Sequence, residues 1–385
     1  MSELNLATLF DDSSEPSLLP RAELSSADDE QLRTARTTIR QRLRSELPHS
    51  LRDPARAAPV KTPRFFTQGS FSYKTIITPI RPPEQQADLD DGVYLPLGDI
   101  KAHRPSVASD KFIEATDDIL RRLAAEEKWT FNDKNPCCSR LVIAENKHVD
   151  VPRYCMPDQQ FELLVEKAAA LEGMTLDSAR ADSDDRWELM PTSNVLLAHR
   201  EDGWIKSDPR PISEWIETTA NLRGSHFRKI IKILKSWRDF QTWANGGDPK
   251  SILLMALVHH AQWQQFDRRI DKTLLHVVKQ IPALLARPVM NPAAFDGSAD
   301  EPDLSKRLDE DGIRAEVSKR FAALARDLED AQLKCGDPDT AIALLRNQFG
   351  ARIPADPARI AEVTVEAAPA IAMRSQPPVR RTQAG

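Results

Sequence analysis

Cysteine is scarce in this chain: Cys137, Cys138, Cys155 and Cys335 are the only four among 385 residues. Secreted scaffolds that need covalent staples carry far more, so a disulfide framework is excluded and a reducing compartment is expected. Long apolar runs are missing as well. None approaches the roughly 18 residues of a membrane span. The opening MSELNLATLFDDSSEP lacks the basic-then-apolar layout of a secretory signal. The expectation is a cytoplasmic protein with no membrane partner. Positive charge is not in excess either, because 53 Lys and Arg face 58 Asp and Glu for a net charge of −5. Broad affinity for a nucleic-acid backbone needs clustered cations that displace counterions. A stable nucleic-acid track is therefore excluded, although a local basic cleft is not.

What is present divides the chain by pattern. Residues 1–25 are polar and turn-rich and read as a flexible N-terminus. Residues 25–47 read as one long helix, with Ser26 placed to cap it, acidic residues in its first turn and arginines further along. After a proline-rich connector come three β-like runs, FFTQGSFSYKTII, ADLDDGVYLPL and SRLVIAENKHVDVPRY, with a helix over 109–128 between the second and third. Residues 26–212 thus form an α/β unit. From about 213 to 350 the pattern turns helical, and residues 304–333 read as one helix with an apolar stripe. Residues 351–385 hold several prolines and little periodicity, and are expected to be mobile.

The chemistry begins at ADLDDGVYLP. Side chains alternate across a strand, so Asp88 and Asp90 share one face while Leu89 and Asp91 take the other. Two carboxylates about 7 Å apart repel unless a cation joins them. In KHVDVPRY, His148 and Asp150 point one way, so Asp150 joins the pair if its strand is adjacent. Three aspartates make an oxygen-rich site for Mg²⁺ or Mn²⁺, with room for two ions that serve phosphoryl or nucleotidyl transfer. Gly69-Ser70, upstream at a strand end, offers backbone amides and a hydroxyl to phosphate oxygens that carboxylates alone would repel.

The blocks TQGSFSYKT, QADLDDGVYLP and KHVDVPRY, followed by GWIKSDP and LKSWRD, closely resemble the bacterial cGAS/DncV-like nucleotidyltransferases over about residues 67–350. The resemblance implies an α+β fold: a polymerase-β-like core of mixed sheet and N-terminal spine helix, packed against a C-terminal helical bundle with the active site in the cleft between them. It implies that Asp88, Asp90 and Asp150 are the metal-binding aspartates and Gly69-Ser70 the donor triphosphate loop. Gln68 and Tyr73 become nucleotide-contacting positions, although Tyr73 reads equally well as a sheet-packing aromatic. Lys235 and Ser251 match positions used on the donor phosphates. Lys235 also belongs to a basic stripe with Arg228 and Lys232 whose ordinary fate is solvation, whereas Ser251 opens a helix after Asp248-Pro249.

The activity so implied is synthesis of a cyclic oligonucleotide messenger from ATP and GTP, a purine cyclic dinucleotide, acting through an effector in anti-phage defence. Linear nucleotide addition and a catalytically silent nucleotide-gated module are the alternatives. Gly385 is a possible point of conjugation to a ubiquitin-transfer-like partner. No zinc is expected: Cys137, Cys138, His148 and Cys155 lack the tight spacing of zinc ligands. Of His259 and His260, one is expected to be buried and one exposed, and Trp204 is expected at the junction of the two halves.

Overall fold

The computed structural model describes residues 3–13, 16–52, 59–100, 105–159, 161–162, 195–244, 247–293 and 302–363. Its elements begin with β1 (Glu3–Asn5), α1 (Ala7–Phe10), α2 (Leu18–Ala22) and the long spine helix α3 (Ser26–Ser50). Ser25 rather than Ser26 caps α3, its hydroxyl accepting from the Asp28 amide at 3.0 Å. Strand β2 (Arg64–Gln68) runs into one helical turn, α4 (Gly69–Ser72), so only the first part of FFTQGSFSYKTII is extended. Then follow β3 (Ala87–Pro96), α5 (Pro105–Glu127), β4 (Thr130–Asn132), β5 (Cys138–Ala144), β6 (Lys147–Met156), β7 (Leu196–His199) and β8 (Gly203–Lys206).

The main sheet has the order β2-β3-β6-β5-β4, with β7 and β8 continuing from the far end of β6. Strands β3 and β6 are parallel and the remaining pairs antiparallel. Alternation assigns the faces. Leu89, Val93, Val149 and Val151 pack beneath α3 and α5 against Leu43, Phe112 and Leu120. The opposite residues, Asp88, Asp90, His148 and Asp150, are left on the open face.

Asp91 is thereby turned away from its neighbours. It is 1% exposed and takes two bonds from Arg40 of α3, at 2.8 and 2.7 Å, and one from the Thr67 hydroxyl at 2.9 Å. Thr67 lies on β2 two residues before Gly69, so this one carboxylate ties the spine helix to β2 and β3, the strands that carry the Gly-Ser turn and the Asp88–Asp90 pair. Breaking a buried pair leaves its partner charged and desolvated, at a cost of about 3–5 kcal/mol. Asp91→Asn is therefore expected to lower the unfolding free energy by that amount, measured by urea titration, whereas a cost under about 1 kcal/mol would show that the pair is not what holds the strands.

The helical half comprises α6 (Arg210–Arg223), α7 (His226–Phe240), α8 (Ser251–His260), α9 (Ile270–Val278), α10 (Ile281–Leu285), α11 (Lys306–Glu310), α12 (Arg314–Leu333) and α13 (Pro338–Phe349). The single helix expected over 304–333 is two, because Gly312 adopts φ 67°, a left-handed turn that a helix cannot contain. Its apolar stripe nevertheless reaches the core through Val317, Phe321, Leu324 and Leu328. His259 is half-buried, accepting from the Trp215 indole at 2.9 Å, and His260 is exposed. Trp204 packs on the core beneath the sheet, not at the junction.

The described parts of the two segments expected to be mobile, up to residue 25 and from 351 to 363, are folded, and residues 364–385 lie outside the described residues. Residues expected in a flexible N-terminus are folded: Leu4, Leu6, Leu9 and Phe10 are buried in the helical core, and Phe10 meets Phe349 edge-on at 5.6 Å. Strand β1 pairs antiparallel with β9 (Ala361–Val363), in the segment expected to be mobile, where Ile353 and Ile360 are also buried. The fully buried Asp271 accepts the Leu6 amide at 3.1 Å. These apolar residues are too few and too widely spaced to show periodicity, and their partners lie hundreds of positions away. Gly385 lies outside the described residues. Among the described residues no helix is long and apolar enough to cross a membrane.

Candidate active site

The open face of the sheet and the start of the helical half enclose a cleft of about 440 Å³, lined by Gly69, Ser70, Tyr73, Asp88, Asp90, Lys235 and Ser251 among others. Its floor follows from strand register. Asp88 is paired with His148 and Asp90 with Asp150 across parallel strands, so four side chains form a square on one face. One ligand atom each from Asp88, His148 and Asp150 lies within 4.8 Å of the others. Asp90 sits deep in this cleft, and burial, followed by the negative charges of Asp88 and Asp150, holds its carboxyl well above the usual range. Arg140, across from Asp150 on β5, binds that carboxylate through two bonds of 2.8 Å.

Gly69 faces Asp90. At φ 68° it starts the turn after β2, and a Cβ there would lie 1.9 Å from Asp90 Oδ2. Only glycine lets the turn lie this close to the carboxylate. Ser70 and Tyr73 line the same wall. Tyr73 is 7% exposed and joins the hydrophobic core of the helical half, so its ring anchors the turn across the junction as well as bordering the cleft. Gln68 is not in the lining; its side-chain amide donates to the Tyr154 hydroxyl at 3.0 Å beneath the turn.

The basic stripe of α7 is not solvated. Arg228 donates to the Tyr73 carbonyl at 3.0 Å, Lys235 to the Thr75 carbonyl at 2.9 Å, and Lys232 pairs with Glu23 at 2.9 Å. The loop between the Gly-Ser turn and β3 is thus held along the helix by its own carbonyls. Gln85, near the end of that loop, adds a bond to the Asp239 carbonyl at 2.9 Å. Lys235 is 4% exposed, and burial lowers its ammonium pKa to about 7. Ser251 opens α8 and accepts from Arg238 at 3.0 Å. Arg238, one turn beyond the stripe and also in the lining, was not singled out by the sequence reading. Its place in LKSWRD, three residues after Lys235, is the signal that could have found it.

The residues present fit a divalent cation. Asp88 Oδ1 and His148 Nε2 are buried 3.0 Å apart, yet neither has a hydrogen-bond partner. The carboxylates repel one another, and their oxygens are the donors that hard cations take. Lys235, Arg238 and Ser251 line the same cleft and supply positive charge and a hydroxyl to it. Among the described residues the clustered candidate ligands are Asp88, His148 and Asp150, without a cysteine. Cys155 is buried under the sheet, and burial beside Asp150 drives the Cys138 thiol strongly upward.

Known proteins match this arrangement over most of the chain. Residues 63–154 match the family described as cyclic GMP-AMP synthase DncV-like, nucleotidyltransferase domain, and residues 224–362 match the cyclic GMP-AMP synthase C-terminal domain. A cyclic GMP-AMP synthase of Vibrio cholerae is 35% identical over 248 residues, covering 61% of this chain and 56% of the relative. The chain thus spans a little over half of that protein's length. One from Escherichia coli is 30% identical over 302 residues, 76% of this chain and 68% of the relative. The crystal structure of Vibrio cholerae DncV with the linear intermediate 5′ pppA(3′,5′)pG superposes with a TM-score of 0.76 at 26% identity, covering 94% of this chain and all of that one. Fold, matched segments and relatives agree: the chain belongs to the DncV-like nucleotidyltransferases.

Proposed function

We propose that this protein condenses nucleoside triphosphates, ATP and GTP, into a purine cyclic dinucleotide that signals in anti-phage defence through a separate effector. The observation that carries this reading is the acidic square facing the Gly69-Ser70 turn across a cleft whose other wall presents Lys235 and Ser251. A divalent pair, Mg²⁺ or Mn²⁺, held by Asp88, Asp90 and Asp150 would steady the attacking and leaving oxygens and offset charge on the α-phosphate. Ser70, Lys235 and Ser251 hold the donor's outer phosphates, so that pyrophosphate leaves toward them. Gly69 brings its backbone against the phosphates because nothing projects from its Cα. Tyr73 borders the space where a base would lie, and Gln68 supports the turn from below. Ring closure repeats the same transfer after the linear intermediate turns over in the cleft.

The test is to incubate purified protein with Mg²⁺ or Mn²⁺ and the four nucleoside triphosphates, digest with phosphatase and weigh the surviving products. A resistant cyclic purine dinucleotide is expected. Products that lose all resistance would mark a linear nucleotidyltransferase, and bound nucleotide without product a silent module.

A further inference from the structure

His148 lies among the carboxylates with its ring already oriented by a neighbour. Its Nδ1 is 2.8 Å from Gln86 Oε1, and the orientation of that amide is fixed because Gln86 Nε2 donates to the Glu145 carbonyl at 3.0 Å. An amide oxygen only accepts, so Nδ1 donates to Gln86 and Nε2 is the ring nitrogen turned toward the carboxylates. Nε2 lies 3.0 Å from Asp88 Oδ1 and 3.8 Å from Asp150 Oδ1. One ligand atom from each of the three residues lies within 4.8 Å of the others, a spacing at which a single cation can touch all three. His148 is 4% exposed, and its Nε2 has no hydrogen-bond partner.

We infer that His148 is a nitrogen ligand of a divalent ion held with Asp88 and Asp150, and that it biases the site toward Mn²⁺ and similar transition ions over Mg²⁺. The inference rests on the reading above that the acidic face holds a divalent cation. Gln86 acts one step out, holding the ring so that Nε2 is turned toward Asp88 and Asp150. Mg²⁺ keeps oxygen ligands and waters, whereas imidazole suits first-row transition ions, so one nitrogen in place of one oxygen shifts the preference in their favour.

Pulsed electron paramagnetic resonance on the nucleotide-free full chain at saturating Mn²⁺ tests this without a mutation. Direct ¹⁴N coupling from a coordinated imidazole is expected, and it is replaced by ¹⁵N coupling when the protein is grown on ¹⁵N-histidine. In His148→Gln the coupling disappears and Mn²⁺ affinity falls by about tenfold or more, while Mg²⁺ affinity changes less. Mn²⁺ that binds wild type, is lost in Asp90→Asn and shows no histidine coupling would overturn the inference and leave the divalent site standing. Absence of any bound Mn²⁺ would overturn both.

Discussion

Asp90→Asn is expected to abolish product formation, by about a thousandfold or more, while raising the melting temperature of the metal-free protein. Both effects come from one carboxylate. Burial, then Asp88 and Asp150, raise its folded-state pKa well above the ordinary 3.8. A carboxyl whose folded pKa is raised contributes stability that is complete below its unfolded pKa and is lost as pH rises through the folded value. At neutral pH the native protein therefore bears the cost of charging Asp90, and asparagine, which resembles the protonated form, removes that cost. The stability difference between variant and wild type should grow with pH and vanish in acid. Added Mg²⁺ or Mn²⁺ should stabilise wild type more than the variant, because a ligand that binds only the folded state raises its melting temperature. Wild-type turnover in the variant, or a metal-free variant less stable than wild type across neutral pH, would remove Asp90 from the role given to it.

The second large effect concerns Lys235, whose ammonium is buried on the Thr75 carbonyl with its pKa lowered to about 7. A triphosphate arriving beside it restores the charged form, so above that pKa binding takes up a proton. Calorimetry in two mildly alkaline buffers of different ionisation enthalpy is expected to show uptake approaching one proton, with affinity falling by up to about tenfold per pH unit as the free lysine loses its charge. Lys235→Met should lose the uptake and bind triphosphate about ten- to a hundredfold more weakly, the worth of a charge-assisted bond. Its stability sign is opposite to that of an ordinary paired lysine. A folded pKa depressed below 10.5 penalises the native state fully below about pH 7 and progressively less toward 10.5, so the methionine variant without nucleotide should gain most at neutral pH and below. Equal heats in both buffers would show that Lys235 does not meet the phosphates.

These roles were legible in the sequence to different depths. Asp88, Asp90 and Asp150 follow from strand alternation, which assigns faces without knowing partners, and the parallel pairing of β3 with β6 brings them together as that reading required. Register itself is not written in alternation. Hence His148 was noted on the right face but weighed only as a zinc ligand alongside cysteines, since nothing local says that it stands opposite Asp88. Asp91 was placed on the inner face, but its bond to Arg40 spans 51 positions, and only tertiary contact reveals a strand latched to the spine helix. The basic stripe of α7 shows the same limit: periodicity located it, and the loop carbonyls that claim it belong to the other half of the molecule. The chain ends failed for a related reason, because three-residue strands carry too little pattern to be seen without each other.

Ring closure is the claim most open to direct measurement. Every nucleotide joined into a ring releases one pyrophosphate, whereas a linear chain releases one fewer than its length. Counting pyrophosphate against nucleotide incorporated into isolated product, with ATP and GTP supplied together and Mg²⁺ or Mn²⁺ present, is expected to give equal numbers. A ratio of one pyrophosphate to two nucleotides, in a dinucleotide that phosphatase attacks, would mean that the cleft performs one transfer and stops.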